Sequence, residues 1–131
     1  MRVIIGGSRS ITDPSALEAA IKQAEFPITT IITGDSKGVD ALAAAWAKNQ
    51  DLGITVMPVE WSKYGGRAEQ IRNEQVAEIA DACILIWDGF SQGTYHLREI
   101  VQRRGLKLCV YQCNPQRATD RKTTTVFRTG T

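Results

Sequence analysis

One stretch constrains this chain more than any other: Thr33-Gly34-Asp35-Ser36-Lys37-Gly38-Val39-Asp40. A β-branched run, Thr29 to Ile32, leads into it, and an alanine-rich segment, Ala41 to Lys48, leaves it. That order reads as strand, glycine loop, helix. Such a loop aims backbone N–H groups and a helix N-terminus at one point, which suits a phosphate or a carboxylate. Gly34 and Gly38 permit a sharp turn or close approach to a ligand. Asp40 opens the helix, where a carboxylate caps free N–H groups. The plain alternative is an ordinary βα turn with an N-cap.

The same unit recurs along the chain. Val3-Ile4-Ile5 runs into Gly6-Gly7, then Ser8-Arg9-Ser10. Asp13-Pro14 starts a helix with Leu17, Ile21 and Ala24 on one face. A second helix runs from about Val39 to Asn49 and Gly53 ends it. Ile54 to Val59 is the third strand. A loop from Glu60 to Arg67 follows, with two aromatics and two glycines. The third helix covers about Ala68 to Ala80 and the fourth strand Ala82 to Trp87. Asp88 to Thr94 is another glycine loop. The last helix spans about Thr94 to Arg104, and Leu106 to Tyr111 is the fifth strand. Five apolar strands alternate with four helices, the pattern of strands covered on both faces. The expected fold is α/β: a Rossmann-like, doubly wound, mainly parallel five-stranded sheet over residues 1–111. Ligands of such sheets bind at the carboxyl ends of the strands.

Residues 112–131 differ. Arg117, Arg121, Lys122 and Arg128 stand there against Asp120 alone, among many threonines. Thr123 to Phe127 suits an added edge strand; a partly ordered surface tail is the alternative.

A chain of 131 residues suits one domain with a real core. Its net charge of +2, from 16 basic and 14 acidic residues, gives no electrostatic argument for membrane or nucleic-acid binding. The three cysteines, Cys83, Cys109 and Cys113, form no CxxC pair. With one histidine, His96, no metal site and no cofactor is expected. The chain opens directly into a strand and carries no long apolar run, so a cytoplasmic protein is the expectation.

Four loop clusters converge in the expected fold. Gly6, Ser8 and Arg9 form the first, where Arg9 suits a bidentate phosphate contact. Thr33, Gly34, Asp35, Ser36, Gly38 and Asp40 form the second. The third holds Trp61, Tyr64, Arg67, Arg72 and Asn73, with Trp61 or Tyr64 able to stack on a base. The fourth holds Ser91, Gly93 and Thr94, a second helix N-terminus. Two anion-type loops, cations and aromatics describe a nucleotide-like ligand. Asp88, Glu69 and Asp40 are the candidate carboxylates for a hydrolytic alternative, to stabilise an oxocarbenium-like transition state or to activate water.

These motifs together resemble the SLOG superfamily, which includes DprA and LOG proteins, in its small YspA-like branch. The resemblance rests on Gly6-x-Ser8-Arg9, Thr33-Gly34-x-x-x-Gly38-x-Asp40, Trp61-x-x-Tyr64-Gly65, Arg72-Asn73 and Gly89-x-Ser91-x-Gly93-Thr94. It spans about residues 1 to 111 and implies a nucleotide-derived ligand, such as ADP-ribose or a nucleoside phosphate, and a bacterial or phage source. In LOG proteins an arginine and a glutamate support release of a base from a ribose 5′-monophosphate. Arg72 matches that arginine, while Leu97 stands at the glutamate position. Glu69 stands where the YspA-like pattern usually has glycine; a carboxylate there either crowds a phosphate or acts as a new acid. Three readings follow: a nucleotide-binding module; an N-glycosidase using Arg72, Glu69 and Asp88; and a DprA-like single-strand binder working through the basic tail. A homo-oligomer stays open.

Overall fold

In the computed structural model, residues 1–113 and 123–127 are described. The chain alternates β1 (Arg2–Gly7), α1 (Pro14–Ala24), β2 (Thr30–Thr33), α2 (Val39–Asn49) and β3 (Gly53–Val56). A four-residue helix α3 (Trp61–Tyr64) and a 3-10 turn (Gly65–Arg67) lead into α4 (Ala68–Ile79). Then come β4 (Ala82–Trp87), α5 (Gln92–Arg103), β5 (Lys107–Gln112) and β6 (Thr123–Phe127). The sheet order is β3-β2-β1-β4-β5-β6. β1 to β5 are parallel, and β6 pairs antiparallel to β5. This is the doubly wound sheet, and its order reverses between β1 and β4.

The strands split their side chains between two layers, as a period of two requires. Val3, Ile5, Ile31, Ile84 and Ile86 pack with Leu17 and Ala20 of α1 and Ala43 and Ala47 of α2. Ile4, Ile32, Cys83 and Leu85 face Val76 of α4 and Leu97 and Val101 of α5. Each fully buried aliphatic side chain contributes about 1.5–3 kcal/mol before chain entropy is charged against it. The alanines of α2 let that helix lie close on β1 and β2. Asp13 caps α1 by accepting from Ser15 N–H at 2.9 Å.

Three elements differ from the sequence reading. β3 ends at Val56, not Val59: Met57 N–H makes the last ladder bond, to Thr33 O at 2.8 Å, and β2 itself ends at Thr33. It is an edge strand, so Ile54 and Val56 are exposed, at 39% and 47%, instead of covered on both faces. The segment expected as a loop between Glu60 and Arg67 is helical. α5 starts at Gln92, with Ser91 as its cap. Of the tail, 114–122 and 128–131 lie outside the described residues, and with them the basic side chains on which single-strand binding was to rest. No helix among the described residues is long and apolar enough to cross a membrane.

Candidate functional site

The carboxyl ends of β1, β2 and β4 open into a cavity of about 490 Å³. The backbone there is drawn together by close approaches that only glycine allows. Gly38 has φ +78°, and a Cβ on it would stand 2.5 Å from Ser8 O and 2.6 Å from Arg9 Cα. Val39 N–H then bonds Ser8 O at 3.3 Å, which ties the N-terminus of α2 to the loop after β1. The β1 loop is tied to the β4 loop as well. Asp88 N–H donates to Ser8 Oγ at 2.9 Å, and Ser10 Oγ donates to Asp88 Oδ2 at 2.9 Å.

Most residues singled out from the sequence line this cavity. The loop after β1 supplies Gly6 and Arg9. The loop after β2 supplies Thr33, Gly34, Asp35, Ser36 and Asp40. α3 and α4 bring Trp61, Glu69 and Arg72, and the β4–α5 loop brings Asp88, Ser91, Gly93 and Thr94. The others sit outside its wall. Ser8 is buried in the strut just described, and Gly38 is buried at the crossing of the two loops. Tyr64 lies under the Lys63 ammonium, 5.1 Å from the ring centre. Asn73 is buried in α4, where its Oδ1 accepts from Arg72 Nε at 3.0 Å. Its Nδ2 finds no hydrogen-bond partner among the described residues. Arg67 is exposed on the 3-10 turn, and His96 is exposed on α5 beside the Tyr95 ring.

Arg72 crosses the cavity floor toward the β2 loop. One Nη donates to Met57 O at 3.2 Å, and Nη1 stands 2.5 Å from where a Gly34 Cβ would be. A side chain at position 34 would displace it. Asp40 reaches the same point from the other side, with Oδ2 2.6 Å from that Cβ position. The expected N-terminal cap is not what Asp40 makes. Gly38 is the cap residue, and Asp40 turns back to accept from Ser36 N–H at 3.2 Å. Burial pushes its carboxyl above the ordinary range; Ser36 N–H, the Arg72 charge, Thr33 and the Gly34 backbone oppose that shift without cancelling it.

Asp88 has the opposite balance. Partial burial pushes it up, but the N–H groups of Phe90 and Ser91 and the hydroxyls of Ser10 and Ser8 outweigh that, and its carboxyl lies below the ordinary range. Its Oδ1 accepts two backbone N–H groups at 2.8 and 2.9 Å. It is an ionised loop anchor whose Oδ1 is engaged by the loop's own N–H groups. Glu69, in the first turn of α4, extends across the cavity onto α5, where its Oε1 occupies the space a Gly93 Cβ would need. Leu97, where LOG proteins have their glutamate, puts an apolar group on the wall.

The wall therefore carries four carboxylates, Asp35, Asp40, Glu69 and Asp88, against two guanidinium groups, Arg9 and Arg72. Sequence reasoning identified these groups but not how they pair. The contact between Glu69 and Gly93 joins residues on different helices and leaves no local signal. The link between Ser10 and Asp88 was readable in outline, since neighbouring strands in a parallel sheet place their following loops side by side. Among the described residues, no group of three or more His, Cys, Asp or Glu is placed to hold a metal ion.

A search of curated proteins finds no match to this chain. Residues 1–64 match a family model, and that stretch carries β1, β2, the two loops that follow them and Trp61. The model is that of YAcAr, the YspA, cpYpsA-related SLOG family, and the match places this first half of the chain with that family.

Proposed function

We propose that the protein binds a nucleotide-derived small molecule in this cavity, with phosphate beside Arg9 and Arg72 and a base against Trp61. The observation that carries the reading is the convergence of the loops after β1, β2 and β4 on one cavity of about 490 Å³, at the switch point of the sheet. Trp61 is 54% exposed at its rim, a free aromatic face. Arg9 is exposed and lines the same cavity. The family match over residues 1–64 supports a nucleotide-related role, either binding or glycosidase-like. Leu97 at the glutamate position favours binding over base release.

The test is a thermal-shift panel of nucleoside mono-, di- and triphosphates, NAD and ADP-ribose, each checked by chromatography for a released base. A ligand at a hundred times its Kd stabilises by about 2.7 kcal/mol, which raises Tm by about 5 °C or more at this size. Arg9→Ala is expected to weaken a phosphorylated ligand about tenfold, the loss of one charge-assisted hydrogen bond. No shift with any member overturns the reading. A free base overturns the binding-only form and makes the protein an N-glycosidase.

A further inference from the structure

The cavity is electrically lopsided. Both guanidinium groups belong to the side of the β1 and β2 loops: Arg9 follows β1, and Arg72 is held over Gly34. The α5 side carries only carboxylates. Asp88 takes the N–H groups of Phe90 and Ser91, just ahead of the helix. Glu69 reaches over from α4 and lies on Gly93, in the first turn. Ser91 Oγ takes Thr94 N–H at 3.4 Å. The positive end of a helix is a good seat for an anion when it is vacant. Here the Glu69 carboxylate stands beside the first turn, in the space of a Gly93 Cβ, and a dianionic phosphate brought alongside would meet like charge.

We infer that Glu69 is a specificity-determining residue: it closes the α5 end of the cavity to phosphate and presents an acceptor to the hydroxyl groups of a sugar. This deepens the reading above and rests on it for the identity of the ligand. The ligand class is a phosphorylated ribonucleoside oriented one way, phosphate toward Arg9 and Arg72 and ribose diol toward Glu69. A carboxylate accepts from a hydroxyl in a short, charge-assisted bond, so a ribose hydroxyl is rewarded where a phosphate is repelled. Gly93 is part of the device, because only a residue without Cβ leaves room for the Glu69 carboxylate in that place.

The test compares the wild-type protein with Glu69→Gln and Glu69→Ala. Inorganic phosphate is titrated while the amide resonances of Gln92, Gly93 and Thr94 are followed by NMR. In the wild type these amides are expected not to saturate with phosphate. In both variants saturable shifts are expected, with affinity raised about tenfold or more. Equal shifts in all three proteins, or none in any, overturn the gating role. In parallel, AMP and 2′-deoxy-AMP are titrated calorimetrically. The wild type is expected to prefer the ribonucleotide about fivefold or more, and Glu69→Ala to lose that preference. If both nucleotides bind the wild type equally, the sugar assignment is overturned. If neither binds while the phosphate gating behaves as expected, the nucleotide reading fails and the gate alone stands.

Discussion

The loops after β2 and β4 look alike in sequence and are built on opposite principles. Each follows a buried strand, turns through glycines, opens a helix and folds around its own carboxylate. In the β2 loop that group is Asp40, 9% exposed, and burial raises its carboxyl above the ordinary range. In the β4 loop it is Asp88, half-buried, and four hydrogen-bond donors hold its proton off. Hydrogen counting agrees. Thr33 Oγ1 lies 2.8 Å from Ile5 O and 3.1 Å from Asp40 Oδ1. A hydroxyl has one hydrogen, and Ile5 O can only accept. The hydroxyl's one hydrogen is shared between Ile5 O and Asp40 Oδ1, so Asp40 receives less than a full hydrogen bond from it. At Asp88 every partner within reach is a donor to it. The balance of burial against donated hydrogen bonds therefore shifts the carboxyls of two similar loops in opposite directions.

The largest expected difference between the loops lies in their glycines. Gly38→Ala puts a Cβ 2.5 Å from Ser8 O and 2.6 Å from Arg9 Cα, both backbone, at φ +78° and ψ −130°. Nothing there can yield without moving a strand end. A loss of about 3 kcal/mol or more is expected in a urea titration, much of the stability of a domain this size. Gly89→Ala meets only the end of the Gln112 side chain, 2.7 Å away, at φ +89°. That amide can swing aside, so the strain alone remains, about 1 kcal/mol. Equal losses at the two positions would mean that the β4 loop is as tightly pinned as the β2 loop.

Which parts were legible follows from the range of the interactions. The sheet, its two layers and the placing of the loops came from short-range patterns: apolar runs, glycine stops and the Asp13-Pro14 start. The exposure of Ile54 and Val56 did not, because an edge strand and a central one have the same composition when the apolar run is short. α5 began two residues early because Ser91, not Thr94, is its cap; both types cap helices well, and only geometry chooses between them. At the site, residue types were readable and electrostatic roles were not. Asp40 and Asp88 are both aspartates beside glycine loops, and a sequence gives no measure of solvent access. Glu69 was flagged as out of pattern; that it lies on Gly93 depends on how α4 packs beside α5.

The next effect in size is Asp88→Asn. The variant keeps an acceptor for Phe90 and Ser91 N–H but sets an amide N–H₂ against the Ser10 hydroxyl. A loss of about 1 kcal/mol at pH 7 is expected, kept modest because the site is half-exposed. The sign with pH follows from the lowered folded-state value. Asp88 contributes stability that is fully present above its ordinary value of 3.8 and is lost as pH falls through its folded-state value. The variant should therefore approach the wild type in acid. A gap that widened in acid would mean that Asp88 is not held ionised by the loop.

Asp40→Asn is the smallest expected effect and the sharpest test of the contrast. An asparagine reproduces the protonated carboxyl: its N–H₂ donates to Thr33 Oγ1 while its carbonyl accepts from Ser36 N–H. The variant is expected within about 0.5 kcal/mol of the wild type well below pH 3.8, where Asp40 holds its proton in both the folded and the unfolded chain. Because the folded-state value is raised, the native protein binds more protons than the unfolded chain in the window above 3.8. Wild-type stability therefore falls relative to the variant as pH rises through that window, then runs parallel to it. At pH 7 Asp40→Asn should be the more stable protein, the reverse of Asp88→Asn. If the variant is instead less stable at pH 7, Arg72 and Ser36 outweigh burial, Asp40 is an ionised partner of Arg72, and the two loops are built alike after all.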